Sequence, residues 1–147
     1  MHILTRFPNS RAHKSGAYHP DPIASGSIVA SASKCQACDK HRGFVYTGAV
    51  YSRHALDDVL CPWCIFGGTA QSVYGAEFID PEAVGDYGRW DSVPPSVLAE
   101  ICFRTPSFSG WRQERWFTHC GDAAEFITPV GTAELRDLNP DLHRAIA

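Results

Sequence analysis

The strongest chemical signal in the sequence comes from cysteines. Cys35-Gln36-Ala37-Cys38 and Cys61-Pro62-Trp63-Cys64 are both C-x2-C pairs, separated by 22 residues. A C-x2-C turn aims two sulfurs at one point, and two such knuckles can place four thiolates at the corners of a tetrahedron. Zinc takes sulfur ligands at about 2.3 Å in that geometry. Cys35, Cys38, Cys61 and Cys64 are therefore the expected ligands of one structural zinc ion per chain. A four-sulfur site keeps no open position, so this metal is not expected to activate water. There is also no H-x-E ahead of a P-C-x-x-C, the pattern of zinc deaminases. His41 and His54 flank the pairs but are not needed as ligands.

Two other readings of the same cysteines remain. Cys61-Pro-Trp-Cys64 alone has the form of a thiol–disulfide motif, and cysteines at a helix start have lowered pKa values. No clear βαβ pattern surrounds it. The blandest alternative is four buried thiols that act as small hydrophobes.

A second concentration of chemistry lies in the C-terminal half, from Phe108 through Gly110-Trp111-Arg112-Gln113-Glu114-Arg115-Trp116-Phe117-Thr118-His119-Cys120-Gly121-Asp122. A helix over 110–117 would put Trp111 beside Arg115 and Arg112 beside Trp116. Trp and Arg are frequent anchors of protein interfaces. The competing reading is that these rings complete a small core. His119, Cys120 and Asp122, with His19, are the candidate acid, base or nucleophile of an enzyme pocket. Adjacent residues on a helix seldom bring their side chains together, which weighs against a His119–Cys120 pair. Cys102 reads as a core residue.

The elements that must position these groups follow from pattern. Residues 1–33 are rich in Ser, Gly, Pro and His, and the Tyr18-His19-Pro20-Asp21-Pro22 stretch is extended by its prolines. It reads as a strap across the surface. Between the cysteine pairs, Gly43 to Ser52 suggests a β-hairpin about Gly48, followed by a helical turn in 52–60. Ile65 to Tyr74 reads as a helix with Gly67-Gly68 as its weak point. A turn is expected at Pro81 to Val84. A helix opening at Pro94-Pro95 would bury Val97, Leu98, Ile101 and Cys102 and end at Thr105-Pro106. Asp122 looks like an N-cap of a short helix to Ile127. The whole is read as an α+β fold. Its centre is a small treble-clef-like zinc unit (knuckle, β-hairpin, knuckle, helix) packed with C-terminal helices. The expected organisation is a flexible tail at 1–16, one domain at 17–130 and a helical tail at 131–147.

Composition narrows the partners. The 147 residues are 44% apolar and 20% charged, which suits one globular domain and argues against wholesale disorder. The formal charge of −3 gives no footprint for nucleic acid. Apolar runs are too short for a membrane span, and no signal peptide is evident, so the expected location is the cytoplasm.

Taken together, several stretches resemble the CbrC (UPF0167) family of small bacterial proteins. They are Tyr18-His-Pro-Asp-Pro-Ile23, Cys35/Cys38, Arg42-Gly-Phe-Val-Tyr-Thr-Gly48, Leu60-Cys-Pro-Trp-Cys-Ile65 and Phe108 to Asp122. The resemblance spans about residues 16 to 128. It implies a zinc-type site at Cys35, Cys38, Cys61 and Cys64, and an association with colicin tolerance. Some members carry a third cysteine pair. Here Cys120 has Ala123 and Ala124 after it, so no second metal site of that kind is expected.

The expected function is a zinc-stabilised, non-enzymatic protein-binding module whose partner is a protein, with a toxin met in bacteriocin tolerance or immunity as the candidate that the resemblance suggests. The partner surface is expected at Tyr18, His19, Trp111, Arg112, Arg115 and Trp116. The alternatives are an enzyme with a pocket near His19, His119, Cys120 and Asp122, and a thiol oxidoreductase at Cys61/Cys64.

Overall fold

The structure is a computed structural model, and it describes residues 2–6, 16–85, 92–110, 114–131, 133, 134 and 137. It is an α+β arrangement of short elements. In chain order these are β1 (His2–Arg6), β2 (Ile28–Ala30), β3 (Phe44–Tyr46), α1 (Pro62–Phe66), α2 (Thr69–Tyr74), a 3₁₀ turn (Pro81–Ala83), α3 (Pro95–Arg104), β4 (Thr118–His119), β5 (Asp122–Ala123) and β6 (Glu125–Val130). The strands form three antiparallel pairs, β1 with β6, β2 with β3 and β4 with β5.

Local chemistry accounts for most boundaries. Pro62 opens α1 at a position where its missing N–H costs nothing. Gly68, at φ +81°, breaks the helical run into α1 and α2. Gly75, also left-handed, closes α2 by donating its N–H to the Gln71 carbonyl at 2.8 Å. α3 begins after Pro94 and buries Val97, Ile101 and Cys102. It stops at Thr105, held extended ahead of Pro106, and the Thr105 hydroxyl donates back to the Glu100 carbonyl at 2.8 Å.

Two buried clusters make up the core. The first gathers Ile28, Tyr46, Leu56, Leu60, Ile65 and Phe78 around the cysteine pairs. The second gathers Tyr18, Ile79, Val97, Ile101, Phe108, Trp116 and Phe126. Phe108 and Phe126 stack at 4.2 Å between centroids, and His19 sets its edge on Phe126 at 4.9 Å. A buried polar seam joins the clusters. Ser27 donates to the Ser107 carbonyl at 2.6 Å, and the Tyr46 and Ser107 hydroxyls meet at 2.5 Å.

Several expectations are corrected. No hairpin forms about Gly48. β3 pairs instead with β2, so the hairpin encloses the first cysteine knuckle rather than following it. Residues 52–60 are turns without a helix, and Glu114 to Phe117 are not helical. The helix expected from Asp122 is β5 and β6. Its cause is the turn Cys120-Gly121, where both residues have positive φ (+54° and +73°) and fold β4 back on β5. The expected flexible tail contains β1, paired with β6 across a bulge between Leu4 and Thr5. The expected helical tail lies almost wholly outside the described residues.

Candidate metal centre

The first knuckle is the loop of the β2–β3 hairpin. Backbone pairing continues outward through Ser31 N–H to Gly43 carbonyl and the Lys34–His41 bridge. At the tip, Cys35 N–H donates to the Lys40 carbonyl at 2.9 Å, and Asp39 N–H to the Cys35 carbonyl at 2.8 Å. Asp39 takes φ +60° to complete the turn, a conformation that Asp tolerates better than most side chains. The second knuckle is the entry to α1. Cys61 stands just before the helix, Cys64 lies inside it, and Cys64 N–H donates to the Cys61 carbonyl at 3.1 Å.

Two backbone ties bring the knuckles together. Gln36 N–H donates to the Val59 carbonyl at 2.9 Å, and Tyr46 N–H to the Leu60 carbonyl at 2.8 Å. As a result the sulfurs of Cys35, Cys38, Cys61 and Cys64 all lie within 4.8 Å of one another. Cys35 and Cys64 are 3.8 Å apart, and Cys38 and Cys61 are 3.9 Å apart. A tetrahedron with four ligands at about 2.3 Å has edges of about 3.8 Å. A disulfide would need about 2.05 Å, and all six cysteines are free thiols. The four cysteines expected as ligands thus form one cluster whose dimensions suit a metal ion.

The surroundings pull the sulfurs in opposite directions. The Cys61 N–H points at the Cys35 sulfur at 3.3 Å, the kind of outer contact that steadies a metal-bound sulfur. Burial pushes the Cys61 and Cys64 thiols up. At Cys38 burial acts in the same direction but is outweighed. The Lys40 N–H, the neighbouring sulfurs and Arg42 bring it down to about 7. Arg42 also lies over the Trp63 ring, 5.4 Å from its centroid. Sequence reasoning did not single out Arg42 or Trp63 for this role, though Trp63 sits between two ligand cysteines. His41 and His54 stay outside the cluster. His41 bonds the Ala32 carbonyl at 2.9 Å, and His54 packs on the Tyr74 ring.

Of the four described residues of the expected partner surface, three are interior. Tyr18 and His19 are fully buried and Trp116 is 2% exposed, because Tyr18 and Trp116 fill the second core and His19 packs edge-on against its Phe108 and Phe126 rings. Arg115 and Phe117 are exposed. Trp111 and Arg112 lie outside the described residues. The expected enzyme groups are divided. His119 Nδ1 and the Cys120 sulfur do meet, at 2.8 Å, because a hairpin turn rather than a helix carries them. Asp122 accepts the Tyr18 hydroxyl at 2.6 Å. His19 is tied elsewhere, to the Pro106 carbonyl at 2.7 Å and the Ser25 hydroxyl at 2.8 Å. Cys102 is buried on α3, as its place on the apolar stripe implies.

Comparison with known proteins agrees with the motif-based resemblance. The profile described as "Uncharacterised protein family (UPF0167)" matches residues 14–146. The chain belongs to the UPF0167 family. It is 47% identical over 127 residues to UPF0167 protein Mb2317 of Mycobacterium bovis and to UPF0167 protein MT2352 of Mycobacterium tuberculosis. Each alignment covers 84% of this chain and 64% of the relative, so the chain spans under two thirds of the mycobacterial proteins' length. UPF0167 protein PA1536 of Pseudomonas aeruginosa is 47% identical over 125 residues, which is 84% of this chain and 68% of that protein. No solved structure matches this UPF0167 chain. In it, no described helix is long and apolar enough to cross a membrane.

Proposed function

We propose that this UPF0167 chain is a zinc-stabilised, non-enzymatic protein-binding module. The observation that carries the reading is the four-sulfur cluster, two of whose edges, 3.8 and 3.9 Å, fit a tetrahedral thiolate site. Zinc suits four soft ligands with no open position, and such a site contributes directly to folding. The second pair sits at the start of a helix, as in a treble clef. The first pair sits at a hairpin tip, so the unit is treble-clef-like with its hairpin wrapped around the first knuckle.

Three of the four cysteines are buried, and the pairs at 3.8 and 3.9 Å each join one knuckle to the other. That arrangement supports a rivet between segments more than an exposed dithiol working within Cys61/Cys64. Recognition then falls to exposed side chains, among them Arg115 of the expected surface and its neighbour Phe117. A toxin as the protein partner, in bacteriocin tolerance or immunity, rests on the family resemblance alone.

The test is elemental analysis of reduced, freshly purified protein, followed by chelation under circular dichroism. The reading expects one zinc per chain and loss of tertiary structure when it is removed. Protein that is metal-free yet folded would refute it.

A further inference from the structure

Beside the second knuckle the surface opens into a cleft of about 550 Å³, between the strap that begins at Gly16 and the α1 helix. Its walls include Phe44, Trp63, Phe66, Pro20 and Ile23, and among the described residues Asp21 is the one ionisable side chain on its lining. Trp63 and Ile23 are 48% and 56% exposed, a large apolar area at one place on the surface. The volume falls in the range of small-molecule sites. Gly16 shapes the rim. It holds φ +85°, a conformation that strains any residue with a side chain, while a carbon added there would only touch the Phe66 ring at 3.5 Å.

We propose that this cleft binds a small organic cation with an apolar body, such as an aryl or alkyl ammonium. Three aromatic rings and one carboxylate are what such a ligand needs. The rings offer negative π faces, the carboxylate offers opposite charge, and the proline and isoleucine walls cover the hydrocarbon. Trp63 already draws a cation to one face, the Arg42 guanidinium at 5.4 Å. Asp21 is positioned by its own turn, where one carboxylate oxygen accepts the Ala24 N–H at 3.0 Å. The site is separate from the proposed protein-binding surface at Arg115 and Phe117, and it takes a different class of ligand.

The test is an NMR titration of metal-loaded protein, its metal content measured beforehand, with benzyltrimethylammonium, benzyl alcohol and phenylacetate. Measuring metal first keeps a failure of the zinc reading distinct from a failure of the cleft. The proposal expects saturable shifts at the Trp63 indole and the Ile23 methyls with the cation. It expects benzyl alcohol to bind about five-fold more weakly and phenylacetate more weakly still. Asp21→Asn keeps an acceptor for the Ala24 N–H, so it should fold normally while weakening the cation about three-fold. Equal binding of all three probes, no saturable binding of the cation, or shifts confined to other residues would overturn the proposal.

Discussion

The Tyr46 hydroxyl, fully buried, lies 2.5 Å from the hydroxyl of Ser107, a residue 61 positions away. The same oxygen donates to the Ala49 carbonyl at 3.0 Å and accepts the Ser107 N–H at 3.3 Å. One phenol therefore fastens the metal-side core to the C-terminal core. Burial, set against the Ser107 bonds, pushes its pKa up to about 12, so it remains a neutral donor.

Tyr46→Phe should cost about 1–3 kcal/mol, because the Ser107 and Ala49 groups lose a partner in a buried place. Gly48→Ala should destabilise by a similar amount for another reason. A Cβ at Gly48 would lie 2.5 Å from Tyr46 Cζ and closer still to its oxygen, which has no room to move without breaking the seam. Denaturant midpoints check both. Wild-type stability in either variant would show that the two cores do not depend on this contact.

His19 predicts an acid sensitivity. The Pro106 carbonyl can only accept, so Nδ1 carries the proton of the neutral ring and Nε2 accepts from Ser25. Burial holds the His19 pKa below its ordinary 6.5, outweighing the Pro106 bond and Asp21. Between that depressed value and 6.5 the unfolded chain binds the extra proton. Stability from this group is thus full above pH 6.5 and is lost as pH falls through the window below it. The slope is at most about 1.4 kcal/mol per pH unit. The difference between wild type and His19→Asn, measured from pH 7.5 to 5, isolates this from acid loss of metal, which both share. Parallel curves would mean that His19 does not titrate differently on folding.

The β4–β5 turn offers a stabilising change. Cys120 holds φ +54° ahead of Gly121, and Asn-Gly is the favoured pair for such a turn. Cys120→Asn should raise stability by about 0.5–1 kcal/mol. A clear loss instead would indicate that the contact between Cys120 and His119 matters to the fold.

How much of this was legible in the sequence depends on whether the signal was local. The C-x2-C pairs, the break at Gly67-Gly68 and the α3 helix between Pro95 and Thr105 are set by neighbouring residues, and they read correctly. Strand pairing is set by distant ones. Nothing near Phe44 to Tyr46 shows that its partner is Ile28 to Ala30, on the other side of the first knuckle. Asp122 has the residue type and spacing of a helix cap, yet its carboxylate is used by Tyr18, 104 positions away. The positive φ at Cys120 was the missing clue, and cysteine rarely signals it. Tyr18, His19 and Trp116 look like interface residues by type. They are interior because Phe108 and Phe126 arrive from distant segments to cover them.

The cysteines should divide into two classes. Serine at Cys35, Cys38, Cys61 or Cys64 should remove the metal and cost more than about 3 kcal/mol, since metal binding at such sites is coupled to folding. Cys102→Ser should cost about 1–3 kcal/mol by burying a hydroxyl, and should keep the metal. Metal content across the five variants separates the classes. Metal loss in Cys102→Ser, or its retention in two of the first four, would contradict the assignment.

The central claim is that one ion is held by four sulfurs. X-ray absorption at the zinc edge on the reduced, purified protein tests it most directly. The spectrum should show a first shell of four sulfurs at about 2.3 Å with no nitrogen or oxygen. A mixed shell, or protein with no zinc and its paired cysteines joined as disulfides, would contradict it.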